Sequence, residues 1–126
     1  MKVIGTIRIN VGAVSLRAEV FDTAAGRALL GLLPIKTNFN VWGDEFYFEV
    51  PFELLPDETA TTSVNVGDVG YWPPGRAVAI FFGPTPLSVD ERPVPAGEVN
   101  MVGRIIDDPK ELIEAKSEEW MEILKV

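Results

Sequence analysis

The sequence predicts a mainly β protein, a closed barrel of about eight strands with two short helices capping its openings. Three observations carry that expectation. Short runs rich in Val, Ile, Phe, Tyr and Thr alternate apolar with polar residues along most of the chain. Gly, Asp, Asn and Pro separate these runs as turn residues do. Only the stretches after Asp22 and after Asp107 carry helix-start signals. A length of 126 residues is that of one domain, so a single unit over residues 1–126 is expected, burying roughly two-thirds of the surface its unfolded chain exposes.

The first two strands are expected at Lys2 to Asn10 and Ala13 to Val20, with Asn10-Val11-Gly12 as the hairpin turn. Asp22 or Thr23 then caps a helix running to about Leu33, in which Ala24, Ala28, Leu29 and Leu32 recur at helical spacing before Pro34 stops it. Gly26 and Gly31 weaken that helix in isolation, so packing on one barrel opening must hold it. Asn38 to Val50 reads as a hairpin because Gly43-Asp44 puts glycine at the first central position of a type II′ turn. Counting from that turn places Phe39, Val41, Phe46 and Phe48 on a core face. Asn38, Asn40, Trp42, Glu45, Tyr47 and Glu49 fall on the other face, which is richer in aromatics than a merely solvated surface.

A loop around Pro51 to Glu58 leads to a further strand expected over Thr59 to Val66. In the next hairpin Pro74-Gly75 marks the turn. Val69 then faces Ile80 and Tyr71 faces Val78, packing inward with Phe82. The opposite face carries Gly70 beside Ala79, a shallow floor flanked by Trp72 and Phe81 that a helix or a ligand could approach closely, a helix being the expected occupant. Gly83 to Gly97, stiffened by Pro84, Pro86, Pro93 and Pro95, is too long for a simple connection and reads as a lid or a wall. Strand character returns over Val99 to Ile106. Asp107-Asp108-Pro109 starts a short helix, and the alternation of Trp120, Glu122, Leu124 and Val126 against Met121 and Ile123 makes a last strand. Trp120 is expected in the core or in a subunit contact.

Composition excludes several chemistries. The chain has no cysteine, hence no disulfide, zinc-thiolate site or thiol catalysis, and no histidine, the usual base near neutral pH. Neither a cofactor nor a metal site is expected. A net charge of -8 would repel a phosphate backbone, so nucleic acid is not an expected partner. No stretch approaches the ~20 apolar residues that span a bilayer, and the N-terminus lacks the pattern of an export signal. A soluble, cytoplasmic protein without a membrane partner is therefore expected. Asp68, Glu45 and Glu49 would form a carboxylate group only if the two central hairpins neighbour one another.

Gly12-Ala13-Val14-Ser15-Leu16-Arg17-Ala18-Glu19-Val20-Phe21, followed by a helix, resembles the opening of the cyclophilins, the prolyl isomerases. Asn40-Val41-Trp42-Gly43-Asp44-Glu45-Phe46-Tyr47-Phe48, Gly67 to Gly75, Phe81-Phe82-Gly83 and Thr85-Pro86 more specifically resemble the small prokaryotic cyclophilin-like family of compact, atypical barrels. The similarity extends through Val99 to Ile105 and implies the barrel fold. In active cyclophilins an arginine on the strand after the first helix polarises the proline amide, beside a hydrophobic pocket, a glutamine, a tryptophan and a histidine. Here Pro34 to Phe52 contains no arginine, and the whole chain has no glutamine or histidine.

Prolyl rotation needs only a donor aimed at the amide nitrogen and a dry pocket. Arg76, beside Trp72, is the substitute the sequence offers. The leading expectation is a binding module with a cleft formed by Asn40, Trp42, Tyr47, Trp72, Arg76 and the loop near Pro84, taking a small molecule or a proline-containing peptide. An atypical prolyl isomerase and an interaction domain of a larger complex, including a homo-oligomer, are the alternatives.

Overall fold

The computed structural model describes residues Met1–Val126. Nine strands form one antiparallel sheet: β1 Val3–Val11, β2 Val14–Phe21, β3 Ile35–Asn38, β4 Asn40–Val41, β5 Glu45–Glu49, β6 Asp68–Trp72, β7 Ala77–Phe81, β8 Asn100–Ile105 and β9 Trp120–Lys125. Their order is β3-β9-β1-β2-β8-β6-β7-β5-β4. The two edge strands, β3 and β4, are separated in the chain only by Phe39, so the sheet curls round into a nearly closed barrel. Curling removes most of the exposed edge that an open sheet would leave. The mainly β barrel expected from the sequence is the fold observed.

Inward-facing residues of the strands make one core. Ile7, Ile9, Leu16, Phe46, Phe48, Tyr71, Val78, Ile80, Phe82 and Met121 are all essentially inaccessible to solvent. Each such side chain contributes on the order of 1.5–3 kcal/mol through burial. Helix α1, Ala24–Leu32, is capped by Thr23, whose hydroxyl accepts from the Gly26 N–H and donates to the Met101 carbonyl oxygen. It packs Ala25 and Leu29 into the core, while a 3-10 helix, Pro109–Ala115, adds Leu112 and Ala115. The Asp108 side chain caps that helix, as its position before Pro109 predicts. Its neighbour Asp107 instead grips Arg17 with both oxygens at 2.9 and 3.2 Å, and those hydrogen bonds hold its carboxyl down at about 2.

Several expectations need correction. The first hairpin turns at Gly12-Ala13, because Val11 pairs with Val14. Thr59 to Val66 forms no strand beyond a bridge between Thr61 and Val99. Side chains divert its backbone into local bonds: the Thr59 N–H donates to Asp57 Oδ1 and the Ser63 N–H to Thr61 Oγ1. Val41 belongs to a two-residue edge strand and is 42% exposed, so it is not core. Trp120 is also exposed, so of the two places expected for it the core is excluded, and Lys36 lies 5.5 Å from its ring centroid. Asp68 is buried against Arg104 at 2.9 Å and does not join Glu45 in a carboxylate group.

The two central hairpins keep the counted register. Trp42 donates its N–H to the Glu45 carbonyl across Gly43-Asp44, and Gly43 has φ 62 while Asp44 does not, as a type II′ turn requires. In the second, Val69 faces Ile80, Gly70 faces Ala79 and Tyr71 faces Val78. Its loop is longer than the expected pair, a 3-10 turn at Pro73–Gly75 closed by Arg76, because a proline-bearing turn cannot adopt positive φ at both central residues. Tyr71 points inward as counted. Its hydroxyl donates to the Phe52 carbonyl and accepts from the Leu54 N–H, each at 3.1 Å, tying down the loop after β5. No helix is long and apolar enough to cross a membrane.

Candidate functional site

Strands alternate their side chains, so the residues between the core positions of β5, β6 and β7 face outward. On most of a barrel that face meets water, yet all five residues of β7 are buried, so something covers its outside. The cover is the end of the proline-rich connection together with Val99 just beyond it, not the helix expected there. Val99 stands so close to Gly70 that a Cβ on Gly70 would lie 2.8 Å from a Val99 methyl. A helix, about 10 Å across, cannot reach a floor that one extended segment already occupies. Buried Val64, Ala79, Phe81 and Val99 form a second small apolar cluster there, with Tyr47 and Trp72 packed against it. The stiff loop is thus a wall.

Wall and sheet do not meet everywhere. Between them lies a cleft of about 270 Å³, floored by Ala77, Ala79 and Phe81 of β7. Tyr47 and Glu45 of β5 and Trp42 from the turn line one side. Trp72, at the end of β6, and Pro95, Ala96 and Val99 of the wall complete it. Two glycines fix Trp72: a Cβ at Gly75 would stand 2.6 Å from its ring, and one at Gly97 3.2 Å from its Nε1. The turn carrying Trp42 and Glu45 is pinned from behind. Asp44 donates its N–H to the Pro84 carbonyl and accepts the Phe82 N–H, each at 2.9 Å, while its carboxylate pairs with Lys116.

Of the residues assigned to a cleft from the sequence, the structure brings Trp42, Tyr47 and Trp72 together and leaves Asn40, Arg76 and Pro84 outside. Asn40 pairs with Tyr47 but lies on the exposed edge strand β4. Arg76 closes the 3-10 turn in the left-handed region, φ 47, and is exposed to solvent rather than to the cleft. Pro84 lies behind the Gly43-Asp44 turn and lines a separate, more polar hollow with Asp44, Val66 and Lys110.

Glu45 is the site residue that sequence reasoning undervalued. It is 7% exposed, and its Oε1 is completely buried with no hydrogen-bond partner. Burial pushes its carboxyl up to about 7, because an apolar surrounding disfavours the charged form. Buried polar atoms are nearly always paired, so an orphaned carboxylate oxygen in an aromatic cleft calls for a reason. The signal was present in register: Glu45 shares the outward face with Trp42 and Tyr47, and its partner across the ladder is Phe81. An acid among aromatics on the same sheet face is unlike the Lys/Glu/Thr pattern of a solvated one.

Comparison with known proteins agrees with the barrel fold. The family model described as Cyclophilin-like matches residues 5–123. The solution structure of a hypothetical protein from Archaeoglobus fulgidus is similar over 100% of this chain and 98% of that one, at 33% identity and a TM-score of 0.81. Among curated proteins, none matches.

Proposed function

The chain belongs to the cyclophilin-like family, and from that premise we propose that it is a binding module that takes a small molecule in the outer aromatic cleft rather than a prolyl isomerase. The observation that carries the reading is the cleft itself: Trp42, Tyr47, Trp72 and Phe81 around an alanine floor, walled by a stiff segment. Its volume of about 270 Å³ is below the usual range for drug-sized ligands, roughly 300–1,000 Å³, and suits a compact metabolite. Rotation of a proline amide calls for a donor facing the ring pocket. No arginine lines this cleft, and Arg76 is exposed to solvent outside it.

Titration with benzyl alcohol, followed by ligand-observed NMR, tests the reading. Trp72→Ala is expected to weaken binding about tenfold, the scale of one lost aromatic contact, and Arg76→Ala to change it by less than about twofold. A protease-free assay on a proline peptide is expected to show no acceleration above the uncatalysed rate. Acceleration abolished by Arg76→Ala would replace this reading with the isomerase one.

A further inference from the structure

Resting on that reading, we propose that the cleft selects a small organic cation, a protonated amine or amidine on an apolar body, whose charged hydrogen-bond donor pairs with the Glu45 carboxylate. Geometry and chemistry converge on this class. Glu45 lines a cleft otherwise apolar and aromatic, and its Oε1, buried just beneath the surface, is an acceptor with no partner in the protein, so a turn of the side chain brings it to a ligand's donor. A hydrogen bond from a charged donor to a desolvated carboxylate is among the stronger ones available to a protein. Trp42, Tyr47, Trp72 and Phe81 add ring quadrupoles that attract cations and leave anions unaided. The lining holds no Lys or Arg to receive an anion, and the net charge of -8 favours approach of a cation.

The groups around Glu45 leave it free for that role. Phe81 faces it across the ladder on β7, and Pro95, Ala96 and Val99 come from the wall. Tyr47 is the one other titratable residue lining the cleft. The adjacent Asp44 is held by Lys116, and Glu49, further along β5, is exposed. A bound cation therefore meets one carboxylate, which must be ionised to pair with it. Since burial holds the empty carboxyl near 7, binding should strengthen as pH rises through that value.

The test compares benzylamine with its neutral counterparts benzyl alcohol and toluene by calorimetric titration of the wild-type protein and Glu45→Gln. Near pH 8 benzylamine is expected to bind at least about tenfold more tightly than benzyl alcohol, and Glu45→Gln to reduce that preference to within about threefold. Between about pH 8 and pH 5.5 the wild-type affinity for benzylamine should fall roughly 30-fold, following the ionised fraction of Glu45, while toluene binding stays level. Equal binding of amine and alcohol, or an amine preference that survives in Glu45→Gln, would overturn the assignment of a cation while leaving the cleft as a small-molecule site. Failure of all three probes to bind would remove both.

Discussion

Between about pH 4 and pH 8 the wild-type protein is expected to lose roughly 2–3 kcal/mol of stability that Glu45→Gln retains. The Glu45 carboxyl sits at about 7 in the folded protein against an ordinary value of 4.5. The folded state therefore holds this proton more tightly than the unfolded chain does. Its stabilising contribution is complete below about 4.5, declines as the pH rises, and is gone above about 7, where the folded protein must bury a lone carboxylate. The sign is opposite to that of Asp107, whose carboxyl is held down at about 2 by Arg17 and whose contribution is lost only as the pH falls below about 4. The two windows do not overlap. Urea unfolding of both proteins across this range checks the claim: converging stabilities at low pH and a widening gap in favour of the variant toward pH 8 are expected. Parallel curves would show that Glu45 titrates as an exposed carboxylate.

The second large effect lies one residue along the same strand. Phe46→Ala is expected to cost about 3–5 kcal/mol, a large share of the ~5–15 kcal/mol that holds a domain of this size together. Phe46 is wholly buried, with ring centroids of Phe39 and Phe82 at 4.5 and 4.6 Å, the second in an edge-on arrangement. Removing it leaves a cavity that the ladder partner Ile80 and the barrel wall cannot fill. Tyr47→Ala, on the outward face, is expected to cost less than about 1.5 kcal/mol and instead to weaken ligand binding. Thermal or urea unfolding separates the two. A similar loss at both positions would mean that the cleft is packed shut as core, which the half-buried Tyr47 argues against.

Much of this was legible from the sequence because register is a counting problem once a turn is fixed. Gly43-Asp44 set the alternation of β5, and the pairs Val69 with Ile80 and Tyr71 with Val78 followed from Pro74-Gly75 even though the loop proved longer. What alternation cannot supply is which distant segment covers an outward face. The Gly70 and Ala79 floor correctly announced a close approach, but a helix and an extended wall leave the same small residues behind. Only the long-range placement of Val99 decides between them. The same gap hid Glu45. Counting places its face, but the cleft it lines is closed by Pro95, Ala96 and Val99, some fifty residues away. Nearness in sequence to the cleft's aromatics points to Asn40, Arg76 and Pro84 as well, whereas an edge strand, a left-handed cap and the back of a turn place them elsewhere.

The proposed functional surface is the Glu45 cleft outside β5, β6 and β7. Mapping amide and indole NMR shifts of the wild-type protein during a benzylamine titration near pH 8 tests it most directly, because it reports where a ligand lands without presuming how tightly. Perturbations are expected to concentrate at Trp42, Glu45, Tyr47, Trp72, Ala79 and Phe81, with Arg76 and Asn40 little changed. Perturbations centred on Arg76, or on the hollow beside Pro84 and Lys110, with the Trp42 and Trp72 indoles unmoved, would contradict it.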